Sequence, residues 1–421
     1  MRRRALRIAA LSLGAALLIG SMAFRVLAVP ALVRFPLNVD ETTEYTGSAV
    51  SYMDQASLVP FAEPKRRPLH ISRRVHVVSG TFSKAVIAET VTVKTGGTTN
   101  VERYQYVIDR RTMKMVSDPR QVAFGDPKAV MHAAGAFRVN FAMGTTANGR
   151  YLAYIPEEDA VSHLTLVEGV HSHGDAHIKV IDFASKRNGP VAPYYLEHLR
   201  KMGAPIQVTA AQLAPVLLAD GIDVNRALAE VGPLLTSAES KLVSETLAKS
   251  VRLRYFFLSN GLISIEPRTG ALIDVHTQQQ GVAVQPDLTG ASVLQPLFDK
   301  YAAIPSVKAL SDGLAALAKR PPQVAESYRY TQTIPSSLAA TRLAREHART
   351  MNLVEVRIPG AMAVLGLLVL GGGLIGRRRT RRDRNEPDTD VPRAGGPPPS
   401  ATIPAEPVPE PAVPVRTYDG A

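Results

Sequence analysis

The residues best suited to chemistry lie in the segment HSHGDAH, residues 171–177. Histidines two positions apart on a strand point to the same face, and a third one after a glycine turn can fold back towards them. Imidazole nitrogen is a common ligand of zinc and copper. His171, His173 and His177 are therefore a candidate metal site, with Asp175 as a further ligand or an orienting group. The spacing matches no specific zinc signature, and the alternative is a polar hairpin tip whose histidines contact water.

Other catalytic patterns find little support in the sequence. It contains no cysteine, which excludes disulfides, thiolate nucleophiles and cysteine metal sites, and it has no G-x-S-x-G motif. Glu157, Glu158 and Asp159 follow one another. Neighbouring side chains in an extended segment point apart, so a glycosidase-like pair is not implied and a solvated loop is expected. We therefore expect a protein that is not an enzyme and that needs no cofactor.

Two uncharged hydrophobic runs lie near the ends of the chain, at residues 8–24 and 358–375. A helix of about 18 residues rises about 27 Å, which is close to the thickness of a bilayer core. The sequence therefore predicts one transmembrane helix at residues 8–28 and another at residues 358–376. Residues 29–357 form a central domain between them.

Arginines beside the two runs indicate the orientation of the chain. The second run is followed by RRRTRRDR, and the first is preceded by MRRRALR. Such clusters mark the cytoplasmic end of a membrane helix. We therefore expect residues 1–7 and 377–421 in the cytoplasm and the central domain on the extracytoplasmic side of the cell membrane. A cleaved signal peptide is the alternative for the first run, and it leaves the central domain on the same side.

The composition points to the membrane rather than to nucleic acid. The 421 residues carry a net charge of +12, and much of this excess lies in the arginine clusters beside the two runs. The lipid bilayer is the expected partner, with envelope lipids and other membrane proteins as further candidates and no nucleic acid. A second basic group, formed by Lys65, Arg66, Arg67, Arg73 and Arg74, is expected on a solvated face. Contact with anionic headgroups is the alternative for this group.

Hydrophobic periodicity predicts a β-rich central domain. Alternating segments at residues 70–79, 85–94 and 101–108 favour antiparallel hairpins, and residues 41–142 as a whole are interpreted as β-structure. Residues 209–250 have apolar positions at helical spacing and are predicted to be a helical insertion. The predicted fold is therefore α+β and membrane-anchored, an antiparallel β-rich extracytoplasmic domain with a helical insertion, flanked by two transmembrane helices.

Two turns in this domain share one sequence scheme. Residues 107–116 and 264–275 each contain a strand, an acid-x-Arg-Thr turn and a second strand. In both turns the acid can accept hydrogen bonds from backbone N–H groups. The second turn follows two predicted strands, 251–258 and 261–265. A recurring hairpin turn explains the repeated scheme more simply than a duplication does.

The C-terminal tail differs in composition from the rest of the chain. After the basic cluster, residues 385–421 are rich in proline and acidic residues and nearly free of large apolar side chains. Such a segment buries too little surface to offset its conformational entropy. We therefore predict a disordered cytoplasmic tail.

The order of these features resembles a known family. The segments PLNVDETTEYTGSAVSYMDQASLVPF, at residues 36–61, and ERYQYVIDRR, at residues 102–111, lie between a basic N-terminus with an apolar helix and a second helix followed by arginines. In these features the chain is similar, over most of residues 1–375, to the actinobacterial envelope proteins of the porin PorA family. The resemblance implies a two-pass envelope protein, and the family supplies no catalytic residues.

Three functions are compatible with this reading. The first is a non-enzymatic role in binding or organising envelope molecules, the second is binding or transfer of a lipid or apolar ligand, and the third is an oligomeric pore. A carrier is expected to contain a continuous apolar cavity with few charged residues in its lining. A β-barrel porin has no long apolar helices, so the family name by itself does not establish a pore.

Overall fold

A computed structural model describes residues 2–54, 58–174 and 177–382. The described chain divides into two units, one formed by residues up to 16 and from 366 onwards, the other by residues 17–365. The helices are α1 (Arg2–Ala23), α2 (Val29–Leu32), α3 (Pro193–Lys201), α4 (Ala210–Ala219), α5 (Val224–Val231), α6 (Ser237–Ala248), α7 (Gln295–Lys300), α8 (Pro305–Lys319), α9 (Ile334–Asn352) and α10 (Ile358–Arg382). Asp175 and the predicted disordered tail lie outside the described residues.

Two helical stretches are long and apolar enough to cross a membrane, Ile8–Leu32 and Ile334–Gly372. A π-helical turn, Phe24–Ala28, joins α1 to α2, and another, Leu353–Arg357, joins α9 to α10. In the first unit, a Cβ added to Gly14 would lie 2.6 Å from Leu370 Cγ, so the helices approach closely there.

Within the second unit the same two helices run antiparallel. Ser21 Oγ donates a hydrogen bond of 2.7 Å to Pro359 O, and Gly20 faces Met362. Residue numbers therefore rise along one helix as they fall along the other. This bond joins the two helices directly through a side-chain donor and a backbone acceptor.

Antiparallel strands form most of the second unit. Their bounds are β1 (Asp40–Met53), β2 (Pro60–Gly80), β3 (Lys84–Thr95), β4 (Thr98–Asp109), β5 (Val122–Ala123), β6 (Leu152–Ile155), β7 (Ala160–His163), β8 (Thr165–His173), β9 (Ile178–Pro190), β10 (Gln207–Val208), β11 (Val251–Ile265), β12 (Leu272–Pro286) and β13 (Gln323–Gln332). The main sheet has the order β5-β4-β3-β2-β1-β13-β12-β11-β9-β8, and β10 pairs with β11. This confirms the predicted α+β fold with a large antiparallel sheet.

The centre of the sheet joins strands that are far apart in sequence. Tyr45 of β1 pairs with Gln332 of β13. A side chain at Gly47 would collide with Arg329 O, and one at Gly281 would collide with Glu326 O. Glycine at these two positions therefore lets β1 and β12 come close to the backbone of β13 on its two sides.

Two large hydrophobic clusters pack against the sheet. The first packs β3 and β4 against the irregular segment 113–151 and includes Met113, Met131 and Phe137. The second packs α3, α4, α5 and α8 against β11 and β12. The predicted helices in residues 209–250 are present, and Asp223 caps α5 by accepting a 3.0 Å hydrogen bond from Arg226 N.

Two local predictions are wrong. The expected β-structure of residues 41–142 does not extend over its last part, since residues 110–142 are mainly turns and loops with only short β-pairings. Many of the hydrophobic side chains there are buried by packing against the sheet rather than by strand pairing. The two strands predicted at 251–258 and 261–265 are one continuous strand, β11, because Gly261 is held in the ladder by Thr277 of β12.

The repeated acid-x-Arg-Thr scheme forms the same turn twice, as predicted. Asp109 Oδ1 accepts hydrogen bonds from Arg111 N at 3.0 Å and Thr112 N at 2.7 Å. The carboxylate of Glu266 accepts from Arg268 N at 3.1 Å and from Thr269 N at 2.7 Å. The carboxylate therefore supplies the acceptor for N–H groups of the turn that have no partner strand.

Candidate functional site: a cavity within the sheet

A cavity of about 830 Å³ lies against one face of the main sheet. Both β4 and β11 line it, although five strands separate them in the sheet order. In a flat sheet they would be about 29 Å apart, since neighbouring strands lie about 4.8 Å apart. The sheet therefore bends around the cavity, and α3 and the segment 137–157 help to enclose it.

The wall of the cavity is partly apolar and aromatic. Aliphatic side chains from the strands alternate with tyrosines, whose rings present an apolar body and a polar hydroxyl. The apolar and aromatic lining includes Met53, Ile71, Val91, Val93, Phe137, Phe141, Ile155, Leu199, Phe257, Ile263, Val275, Val282, Tyr45, Tyr154, Tyr195, Tyr255, Tyr328 and Tyr330.

A buried ion cluster is built around Glu89, whose side chain is completely buried. Arg73 Nε donates to Glu89 Oε1, Arg138 Nε donates to Oε2 at 3.1 Å, and Tyr106 Oη donates to Oε2 at 2.7 Å. The two guanidinium groups border the cavity. Burial opposes ionisation of Glu89, but the charges of Arg138 and Arg73 outweigh it and lower the pKa of this carboxyl to about 2.

A pair of carboxyl groups lies in the same cavity with the opposite tendency. Burial, together with the charge of Glu157, raises the pKa of Glu102 to about 7. Burial also raises the pKa of Glu157, against the opposing charge of Arg138. Glu102 accepts a 2.9 Å hydrogen bond from Tyr104 Oη. Glu102 therefore titrates much nearer to neutral pH than an exposed glutamate does, and the pKa of Glu157 is shifted in the same direction.

The stability of the domain should fall as Glu102 ionises. Because its folded pKa of about 7 lies above the unfolded value of 4.5, its contribution is fully present below pH 4.5 and is lost as the pH rises through 7. We expect Glu102→Gln to raise the thermal midpoint at pH 8 by several degrees. The difference in free energy of unfolding between the variant and the wild type should increase by about 2–3 kcal/mol from pH 5 to pH 8. Circular dichroism melts of the full chain in detergent between pH 5 and pH 8 measure this.

Exposed Glu63 on β2 provides the control for that measurement. The variant Glu63→Gln should follow the wild-type curve. Parallel pH curves for wild type and Glu102→Gln would contradict the assignment of a near-neutral titration to Glu102.

Charged residues also surround the exposed end of the cavity. Arg67 donates to Ser51 Oγ at 2.7 Å and to Glu326 Oε1 at 3.0 Å, and Lys65 Nζ lies 3.8 Å from the centre of the Phe61 ring. Arg67 and Arg73 therefore face the cavity. The sequence-based expectation that these basic residues form a solvated face is wrong for Arg73, which strand alternation puts on the inner face of β2. Arg67, at the exposed end, keeps 38% of its side chain in contact with solvent.

The acidic loop at residues 157–159 is also not solvated as expected. Glu157 and Glu158 are buried. Glu158 pairs with Arg187 of β9, and Glu157 lines the cavity. The described lining therefore contains several charged residues, which differs from the mainly apolar cavity expected of an acyl-chain carrier.

The predicted metal-site histidines lie outside this cavity, at the β8–β9 hairpin. His171 Nε2 is 3.5 Å from Asp182 Oδ2, and His171 Nδ1 is 3.8 Å from Glu168 Oε1. Glu168, His171 and Asp182 together have the spacing of a metal-ligand group. His173 instead lies 3.7 Å from Asp274.

His177 is exposed, with a positive φ of 49°, at the turn between the two strands. The hairpin thus gives His171 and His173 separate acidic neighbours. The metal site at His171, His173 and His177 stays a prediction.

Sequence reasoning missed the cavity cluster, although one signal was present. By strand alternation, Glu89 falls on the same face of its strand as Ile87 and Val91, and Arg73 falls on the same face as Ile71 and Val75. A charge within an apolar alternation marks a buried polar site when a second strand supplies its counter-charge. That signal predicts which face the residue occupies but does not identify its partner.

Comparison with known proteins gives one family. The family described as Porin PorA matches residues 7–375, which is most of the chain. None of the curated proteins matches the sequence.

Proposed function

The chain belongs to the porin PorA family, and from this premise we propose that it is a two-pass cell-envelope membrane protein that binds an amphiphilic ligand in the cavity of its central domain. The ligand is held and not chemically transformed. The observation that carries this proposal is the cavity itself, about 830 Å³ in volume, with apolar and aromatic walls and charged groups at separate places in its lining.

Membrane anchoring is supported by the two apolar helical stretches and by the arginines at their outer ends. The outer face of the sheet argues against a membrane-spanning role for the strands. Outward positions on β2 hold Arg66, His70, Ser72, Arg74 and His76. A strand face of this polarity is suited to water and would be costly against lipid. The helices, and not this sheet, are therefore the proposed membrane-spanning elements.

Binding an amphiphile fits the chemistry of the lining. A cavity of a few hundred to about 1,000 Å³ is the usual size for a small-molecule site. Aliphatic and tyrosine side chains can contact an apolar portion, while Arg73 and Arg138 at the Glu89 cluster can accept a polar group of the ligand. A fully apolar ligand would leave the guanidinium N–H groups that Glu89 does not bind without water or another acceptor, which is unfavourable.

A non-enzymatic role is supported by the residues that face the cavity. Neither cysteine nor histidine occurs in the described lining. Ser51 Oγ donates to Glu326 and accepts from Arg67. The arrangement thus lacks the serine–histidine or cysteine–histidine pair that activates a nucleophile.

Topology can be tested with single cysteines, because the chain has none of its own. A membrane-impermeant maleimide applied to intact cells should label Ala248→Cys, at the exposed end of α6. Ser400→Cys, in the tail, should react only after the cells are permeabilised. The reverse pattern would contradict the proposed orientation, and labelling of both in intact cells would contradict a two-pass topology.

Ligand binding can be tested by native mass spectrometry of the full chain released from detergent micelles. A discrete mass addition that solvent extraction removes and that is identified as an amphiphile supports the proposal. Protein that carries no added mass, and that binds no labelled phospholipid after delipidation, would contradict it.

An oligomeric pore is the second candidate, and the description of the matched family favours it. Two helices per chain enclose no aqueous channel, so several copies would have to assemble. Conductance of the pure protein in planar bilayers separates this function from ligand binding, since a bound ligand requires no current.

A further inference from the structure

The tip of the β2–β3 hairpin carries exposed apolar side chains next to arginines. Phe82 is 66% exposed, Val78 is 54% exposed and Leu37 is 40% exposed. A side chain at Gly80 would collide with Leu37, so this glycine seats Leu37 directly against the hairpin. Moving an exposed phenylalanine side chain from water into an apolar surrounding is favourable.

Two arginines from separate parts of the chain contact this tip, and Arg111 follows one of them in the sequence. Arg34 and Arg110 both donate to Phe82 O, the second at 3.4 Å, and Arg110 also donates to Thr81 O at 2.9 Å. The guanidinium carbon of Arg34 lies 3.5 Å from the centre of the Phe82 ring. Arg111 is the exposed arginine of the Asp109 turn.

The charges of this group are not balanced within it. The nearby carboxylate is that of Asp109, and one of its oxygens already accepts from the backbone N–H groups of Arg111 and Thr112. Arg34 Nε is buried with no hydrogen-bond partner among the described residues. Burial lowers the pKa of Arg110, and the charge of Arg34 lowers it further. An anion placed between Arg34 and Arg110 would relieve their repulsion and supply an acceptor.

This hairpin tip lies beside the end of the first apolar helical stretch. That stretch ends at Leu32, two residues before Arg34. Val26, Leu27 and Leu32 are strongly exposed along it. The exposed apolar surface therefore continues from the helix to Leu37 and Phe82 within one unit of the structure.

We propose that this tip, formed by Arg34, Val78, Phe82, Arg110 and Arg111, binds the anionic phospholipids of the leaflet nearest the central domain. Phe82 enters the boundary between headgroups and acyl chains, and the arginines bind phosphate oxygens. The inference rests on the proposed membrane-spanning role of the helices. Its effect is to hold the central domain at a fixed height and orientation on the bilayer.

Phe82→Trp tests the depth of the tip, because the chain contains no tryptophan. In the full chain, reconstituted in nanodiscs of equal parts phosphatidylcholine and phosphatidylglycerol, its fluorescence should be strongly quenched by lipids brominated near the top of the acyl chain. The matched control is Tyr52→Trp, an exposed aromatic position on β1, which should show little quenching. Equal and weak quenching of both tryptophans would overturn the proposal.

The headgroup contact is tested in the same Phe82→Trp background. Brominated phosphatidylglycerol should quench more than brominated phosphatidylcholine, and Arg111→Gln should reduce this preference by about fivefold, as expected for one basic residue at an anionic surface. Exposed Arg66 on β2 provides the control Arg66→Gln, which should leave the preference unchanged. A preference that survives both Arg111→Gln and Arg34→Gln would overturn the headgroup assignment.

These outcomes are separable from failure of the proposed topology. If Ala248→Cys and Ser400→Cys label as expected while Phe82→Trp is not quenched, the chain spans the membrane and this inference alone is wrong. If the labelling pattern fails as well, the spanning proposal is the one contradicted.

Discussion

Replacing Glu89 with glutamine should destabilise the central domain by about 3–5 kcal/mol, because it leaves buried arginine charge without its counter-charge. Glu89 is completely buried and bonds to both Arg73 and Arg138. Urea unfolding of the full chain in detergent, followed by circular dichroism of the β-structure, measures the loss.

The control for Glu89 is Asp40 of β1, which pairs with Arg74 on the exposed face of β2. Asp40→Asn should have little effect, since water solvates both of its partners. A second check is the double variant Glu89→Gln with Arg138→Gln. Because it removes one of the uncompensated charges, it should recover part of the stability lost in the single variant. Equal effects of Glu89→Gln and Asp40→Asn would contradict the buried ion cluster.

The pH dependence of Glu89 has the opposite sign to that of Glu102. The folded pKa of Glu89 is about 2, below the unfolded value of 4.5. Its contribution to stability is therefore present above pH 4.5 and is lost as the pH falls through 2. The difference between wild type and Glu89→Gln should narrow over that acidic range.

Filling the cavity should abolish ligand retention while leaving the fold intact. Val93 of β3 lines the cavity wall, and Val93→Trp places a large ring in the space that the ligand needs. We expect about tenfold less retained ligand in native mass spectra, equivalent to about 1.4 kcal/mol of binding free energy. The melting midpoint reports whether the variant still folds.

The matched control is Val101→Trp, at an exposed position on β4, which should retain the ligand at the wild-type level. Val282→Phe, on the opposite wall of the cavity, adds less volume and serves if Val93→Trp fails to fold. Unchanged retention in a folded Val93→Trp or Val282→Phe variant would show that the ligand binds elsewhere.

Local patterns in the sequence were sufficient to identify most of the secondary structure. Alternation in residues 70–79 and 85–94 predicted strands that the structure contains in β2 and β3. The spacing and caps of residues 209–250 predicted helices that are present as α4, α5 and α6. These signals are readable because helix and strand periodicity depend on near neighbours in the chain.

The turns show the same rule and its limit. The acid-x-Arg-Thr scheme predicted how Asp109 and Glu266 would cap their turns, since both partners lie within three residues. It did not predict that the Asp109 turn would meet Phe82 and Arg34. That contact joins segments whose proximity depends on the pairing of β2, β3 and β4.

The sequence by itself determined the family, the two apolar helical stretches and the α+β class of the fold, because each depends on composition or on short-range periodicity. Only the tertiary structure decided that Arg73 and Glu102 line a cavity and that Glu89 is buried beside Arg73. Alternation assigns a residue to one of two faces, but the curvature of the sheet decides which face becomes enclosed. Charges such as Arg73 and Glu89 are stable there because partners distant in the sequence, among them Arg138, compensate the loss of water.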